Sequence, residues 1–182
     1  MKSFVALLRG VNVGGHNKVA MADLRNLFTT LGFTNVRTYI QSGNIVFGAD
    51  TSDAAALAET IRLGISRELK VDCGVIVRDA AELSAVIDGN PYEDEDVDES
   101  KLGVIFLADE PSPAQAERLV VPEGMPERIV VSGRHLYVLY PNGMGRSKLD
   151  QSFFRKRLPN TTTTTRNLRT VRRLHDMLMA DT

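Results

Sequence analysis

Residues 4–47 read FVALLRGVNVGGHNKVAMADLRNLFTTLGFTNVRTYIQSGNIVF, and this stretch decides the fold. Phe4 to Leu8 is a short apolar run of the kind that fills a buried central strand. Gly10 to Lys18 follows as a loop with three glycines. In Met21 to Leu31, apolar Leu24, Leu27, Phe28 and Leu31 recur at i, i+3, i+4 and i+7, the spacing of one helical face. Asp23 in the first turn suits the helix dipole, and Gly32 supplies the left-handed position that closes a helix. Val36 to Gln41 and Asn44 to Phe47 are strand-like, and Ser42-Gly43 between them predicts a hairpin turn.

Downstream, Ser52 is a cap for a long helix over 53–69, with Leu57, Ile61, Ile65 and Leu69 on one side. Val75 to Val77 reads as a strand, and Asp79-Ala-Ala-Glu82 as a capping box that opens a short helix. The plan then recurs. Leu102 to Leu107 is a second buried-type strand, and Ser112-Pro-Ala-Gln115 is a second capping box, with proline at the first helical position. Two strand-like runs, Arg128 to Val131 and His135 to Tyr140, flank Ser132-Gly133. A glycine-containing basic loop, Pro141 to Lys148, leads to a short helix over 150–158. The last helix is expected over 166–179, capped by the end of the threonine tract Thr161 to Thr165. Each half therefore reads as a βαββα unit with further elements, close to a ferredoxin-like plan. The expected class is α+β: duplicated lobes, each a mixed or antiparallel sheet with helices packed on it. The expected partition is an N-terminal lobe over 1–90, an acidic connection over 91–100, and a C-terminal lobe with the terminal helix over 101–182, the two lobes also being able to form one compact unit.

Hydrophobic content of 43% supports a core, and the charged fraction of 25% is ordinary. No apolar run approaches the length of a membrane span, and the first residues lack the pattern of a signal peptide. The one cysteine, Cys73, excludes an internal disulfide and fits a reducing cytoplasm. Its place at the head of the run CGVIV predicts a buried, inert thiol. The net charge of −1 is unevenly laid out: +4 over residues 1–48, −11 over 49–145 and +6 over 146–182. Either the ends and the middle neutralise one another across the fold, or the two termini build a basic face that attracts an anion.

Four blocks in order, RGVNVGGHNKVAM, YIQSGNIVF, PNGMGRSKL and TTRNLRTVRRL, resemble the bacterial family DUF1697, a domain of unknown function, over nearly the whole length. The resemblance implies a duplicated α+β fold and brings no activity, substrate or cofactor. The family usually carries a tryptophan after the Arg-Asn pair, where this chain has Leu168.

Three segments are candidates for binding an anion. The first loop offers backbone N–H groups freed by Gly14 and Gly15, with Arg9, Asn12 and Lys18 beside them. It matches neither the P-loop nor the dinucleotide fingerprint, and a turn that needs positive φ accounts for its glycines equally well. The second loop offers Arg146 for bidentate contact, Lys148 as a point charge, and Ser147 as a donor or as the cap of the next helix with Asp150 at N3. The third is the expected start of the last helix, with Arg166 and Asn167. Convergence of the three on one inter-lobe surface would bind a phosphate-containing ligand. That ligand is either a phosphorylated metabolite or a nucleic-acid backbone; a membrane is not an expected partner, and the oligomeric state is left open. The alternatives are an enzyme acting on a small phosphorylated substrate through Ser147 or His16, and a protein-interaction or dimerisation module. No cofactor is implied. His16, His135 and His175 show no ligand pairing, so no metal site is expected, and no catalytic residue is assigned.

Overall fold

The computed structural model describes residues 1–180. The chain packs as two compact units: Met1–Ser84 together with the segment from Arg173 onward, and Ala85–Arg172. In the first, β1 (Lys2–Leu8), α1 (Met21–Thr30), β2 (Thr34–Tyr39), β3 (Asn44–Ala49), α2 (Ala54–Gly64) and β4 (Val75–Asp79) follow one another, and α3 (Ala80–Asp88) begins there. In the second, β5 (Leu102–Leu107), α4 (Pro113–Glu117), β6 (Arg128–Ser132), β7 (His135–Leu139), α5 (Gln151–Arg157) and β8 (Thr163–Asn167) repeat that order, and α6 (Leu168–Met179) begins there. The sheets run β2-β3-β1-β4 and β6-β7-β5-β8, and every pairing in both is antiparallel. This is the ferredoxin-like βαββαβ plan made twice, so the duplicated α+β architecture is the observed one.

The strands read as unbroken apolar runs because both faces of the central strands are buried. Phe4, Ala6 and Leu8 of β1 join Ile45 and Phe47 of β3 in a core with Leu24, Leu27 and Phe28 of α1 and Leu57 and Ile61 of α2. Val5, Leu7 and Val46, on the opposite face, are also fully buried. In the second unit Ile105, Leu107, Leu136 and Val138 pack with Leu119, Phe153, Phe154 and Leu158.

Local chemistry sets the helix ends. Gly32 follows α1 at φ +87, and its N–H donates to Thr29 O at 3.0 Å. Both capping boxes form: Glu82 N–H donates to Asp79 Oδ1 at 2.9 Å with Asp79 N–H returning to Glu82 Oε2, and Ser112 and Gln115 do the same at α4. Three expectations are corrected. Asp53, not Ser52, caps α2, accepting from Ala56 N–H at 2.9 Å, and past Gly64 the helix widens into a π-helical turn over Ile65–Leu69. Asp150 is the N-cap of α5 rather than its third residue, accepting from Phe153 N–H at 3.0 Å. The threonine tract does not cap a helix. It runs into β8, where β-branched side chains fit the pleat.

Cys73 is buried, and desolvation pushes its thiol up to about 11. The folded state favours the neutral thiol. Its contribution to stability is therefore intact below the ordinary thiol range of about 8.5 and falls as pH rises above it. The expected result is no reaction with an aromatic disulfide reagent at pH 8 in the native protein and one equivalent after denaturation; a thiol that reacts without unfolding would contradict this burial.

Candidate functional site

In the first unit, β1 ends at Leu8 and the chain turns into the loop 10–20 before α1. Gly10, Gly14 and Gly15 have φ of +64, +59 and +79, and Asn12 and Asn17 share the left-handed region at +57 and +48. Asn12 is the loop's internal pin. Its Nδ2 donates to Val19 O and to Gln41 O, both at 2.9 Å, and its Oδ1 accepts from Val19 N–H at 2.9 Å. These bonds commit both its amide hydrogens, so Asn12 shapes the site rather than offering donors to a ligand. Asn12 N–H donates to Asn17 O at 3.1 Å, closing the loop on itself.

The result is an open cleft of about 470 Å³ lined by Asn12, Gly15, Lys18, Val19, Ala20 and Gln41. Lys18 is exposed, and its side chain makes no hydrogen bond or ion pair among the described residues. Ala20 stands at the N-cap of α1 and has no side chain that can accept. Asp53, Asp79, Ser112, Asp150 and Asn167 accept from first-turn N–H groups at the other five helices. The first-turn amides of α1 are therefore left without a side-chain cap beside Lys18. Beside the cleft, Ile40 is 51% exposed and holds φ +47, a conformation that strains a β-branched residue. Arg9 is half-buried at the head of the loop, and its N–H donates to Gly74 O.

In the second unit the basic loop contains a short 3-10 turn over Met144–Arg146. Arg146 and Lys148 are exposed, and neither side chain has a partner among the described residues. Ser147 is engaged: its hydroxyl donates to Glu127 Oε1 at 2.5 Å and accepts from Leu149 N–H at 3.0 Å. Glu127 is buried, and its Oε2 has no hydrogen-bond partner among the described residues.

The expected third segment is corrected. Arg166 does not stand at a helix end. It lies in β8, paired with Val104 of β5, and is 7% exposed. Its Nη1 donates to Thr164 Oγ1 at 2.9 Å and to Thr165 O at 2.8 Å, and burial pushes its guanidinium down to about 10, which leaves it protonated at neutral pH. Asn167 is the cap of α6, with Oδ1 accepting from Thr170 N–H at 2.9 Å. Both side chains thus have hydrogen-bond partners within the second unit. Their counterparts in the first unit are Arg78, paired with Val5 of β1 and also buried, and Asp79, the cap of α3. The Arg-Asp and Arg-Asn dipeptides ahead of two amphipathic runs were the signal that could have placed Arg166 in a strand.

The acidic stretch is equally structural. Within the second unit Glu95 pairs with Arg128 at 2.6 Å, Asp98 with Arg169 at 3.4 Å, and Glu99 with Arg172 at 2.6 Å. The Arg128 guanidinium also lies 4.5 Å over the Tyr92 ring. The side-chain hydrogen bond to Arg128 holds the Glu95 carboxyl below its ordinary range. Arg169 and Arg172 of α6 are thus matched by acids, whereas Lys18, Arg146 and Lys148 of the two glycine loops have no side-chain partner among the described residues. Among the described residues no cluster of histidine, cysteine and carboxylate side chains could hold a metal ion, and no helix is long and apolar enough to cross a membrane.

A family model described as "Protein of unknown function (DUF1697)" matches residues 1–137. A solved structure, the conserved bacterial protein SP0830 from Streptococcus pneumoniae, is similar with a TM-score of 0.69 at 24% identity, over 97% of this chain and 98% of that one. At that identity the likeness speaks for the fold alone. A search of curated proteins gives no match.

Proposed function

The chain belongs to the DUF1697 family of proteins of unknown function, and on that premise we propose that it binds a phosphate-containing anion at the loop before α1. The supporting observation is the cleft of about 470 Å³ in which Lys18 stands beside the uncapped start of that helix. The charge suits a phosphoryl group. A helix N-terminus acts as roughly half an elementary charge and the lysine adds one, against the −1.5 to −2 of a phosphomonoester. Gly15 lets the backbone approach the anion without a side chain in the way, and Asn12 holds the loop open by bonding Val19 and Gln41. Arg9 supplies further positive potential at the head of the loop. Arg146 and Lys148 form a second cationic loop of the same character.

The test is an amide-shift titration with inorganic phosphate and with a phosphomonoester. Shifts are expected at Gly15, Lys18 and the first turn of α1, and Lys18→Glu is expected to weaken binding by at least about tenfold, the worth of 1.4 kcal/mol. Loop amides that do not move at about 10 mM phosphate, where a site with Kd of about 1 mM is nine-tenths filled, would remove the reading. A nucleic-acid ligand is the other form of this proposal, and it predicts affinity that falls steeply with salt. Catalysis on a phosphorylated substrate is a second reading, supported by the Ser147 hydroxyl donating to the buried Glu127 carboxylate. There, turnover that survives Ser147→Ala unchanged would eliminate Ser147 as a proton-transfer group.

A further inference from the structure

The edge strand β6 differs from its counterpart β2 in a way that points to a partner. In β2 the register shifts between Thr34 and Arg37, and Asn35 adopts φ +50. Such a bulge bends an edge away from further pairing. In β6, RIVVS, the register runs regularly through all five pairs with β7, and there is no proline, lysine or bulge. Gly133-Arg134 makes a two-residue turn with Gly133 at φ +53, closing on the Ser132–His135 pair. That pair exchanges hydrogen bonds, so the alternation of an antiparallel ladder makes Val130–Tyr137 and Arg128–Leu139 bonded pairs too. The N–H and C=O groups of Ile129 and Val131 then point away from β7, and no hydrogen bond among the described residues reaches them. Ile129 and Val131 are half-buried against the core, and Val130 is 36% exposed on the other face.

We propose that β6 is a homodimerisation edge: it pairs antiparallel with β6 of a second copy about a two-fold axis at Val130, joining two four-stranded sheets into one of eight strands. The sequence of the strand selects this occupant. About Val130 the outward groups of Ile129 meet those of Val131 in the second copy, and the reverse, which satisfies all four donors and four acceptors of the two edges. Arg128 falls opposite Ser132 rather than opposite another arginine, so no like charges face each other. The three apolar residues of one strand lie against three apolar residues of the other. Val130 meets itself at a non-hydrogen-bonded pair, where Cα atoms come within about 4.5 Å.

Sedimentation velocity across about 1 µM to 1 mM, the range in which a short ladder gives measurable association, reads this directly. The wild-type dimer fraction is expected to grow with concentration. V130K and V130E are each expected to shift the midpoint upward by at least tenfold, since each places like charges on the axis. An equimolar mixture of the two is expected to restore the dimer. I129P removes an outward N–H without touching the ladder to β7, and is expected to leave a folded monomer by amide spectrum. A wild-type protein that stays monomeric throughout, or a dimer that survives both V130K and I129P, overturns the proposal. So does a mixture of V130K and V130E that stays monomeric. A monomeric wild type would leave the edge to an extended segment of a different protein.

Discussion

Phe47→Ala is expected to lower the unfolding free energy by about 3–5 kcal/mol. The ring is fully buried and stands at the centre of an aromatic group: its centroid lies 4.7 Å from Phe33, 5.3 Å from Phe28 and 5.9 Å from Phe4. Those three rings come from β1, from α1 and from the turn that leaves α1. Their positions are set by separate elements, so they cannot close over the gap without moving backbone. The cavity stays open, and three ring pairs worth roughly 0.5–1.5 kcal/mol each beyond their area are lost with it. Against the ~5–15 kcal/mol typical of a native protein, that is a large share. Urea unfolding checks it through the midpoint at unchanged slope. Phe47→Leu keeps most of the volume and is expected to cost clearly less. A loss under about 1 kcal/mol for the alanine variant would mean that the ring is not packed as described.

Gly43→Ala is expected to cost about 2–5 kcal/mol, from two sources that a comparison separates. Gly43 sits at φ +76, where a side chain costs about 1–2 kcal/mol. A Cβ there would also lie 2.7 Å from Leu8 Cβ. That atom cannot swing away, because it is fixed to the β1 backbone, and Leu8 N–H donates to Gly43 O at 2.9 Å. The overpacking adds roughly 1–3 kcal/mol. Gly32 is the internal control. Its φ is +87, but nothing lies within 4 Å of the Cβ it would gain, so Gly32→Ala should show the backbone cost alone. Equal melting shifts for the two variants would show that the contact with Leu8 contributes nothing.

Elements that rest on local pattern were legible in the sequence. The face of α1 is read from Leu24, Leu27 and Phe28 because the 3.6-residue period is carried by neighbours in the chain, and those three side chains are buried. The same holds for the two capping boxes and for the left-handed close at Gly32. The hairpins were found, but not their geometry. The first has a four-residue loop, Ile40 to Gly43, and the second a two-residue turn, Gly133-Arg134, so the matching Ser-Gly pairs do not occupy matching places. The missed strand β8 shows the limit most clearly. Thr161 to Thr165 has neither alternation nor an apolar face, and its strand state comes from pairing with β5. With the tract in β8, Arg166 is a buried strand residue and not the start of a helix.

The candidate site was legible in the same uneven way. The loop 10–18 was recognised by its glycines, and Lys18 does line the cleft. What could not be read was which polar side chains the fold uses up. Asn12, Ser147, Arg166 and Asn167 spend their hydrogen bonds on Val19 and Gln41, on Glu127 and Leu149, on Thr164 and Thr165, and on Thr170. Of these, only Asn167–Thr170 lies within one helical turn and ahead of a helix, where a capping rule applies. The acidic stretch taught the same lesson, since its partners lie far along the chain at Arg128, Arg169 and Arg172.

The amino-acid sequence by itself determined the duplication, the α+β class and the buried faces of the strongly periodic helices such as α1, because hydrophobic period and turn chemistry act over a few residues. Only the tertiary structure decided which cations stay in solvent without partners and that the threonine tract is the fourth strand of its sheet. It also assigned the segment from Arg173 onward to the first unit. Each of those outcomes depends on groups dozens of residues apart competing for one another, and chain folding, not local preference, chooses among them.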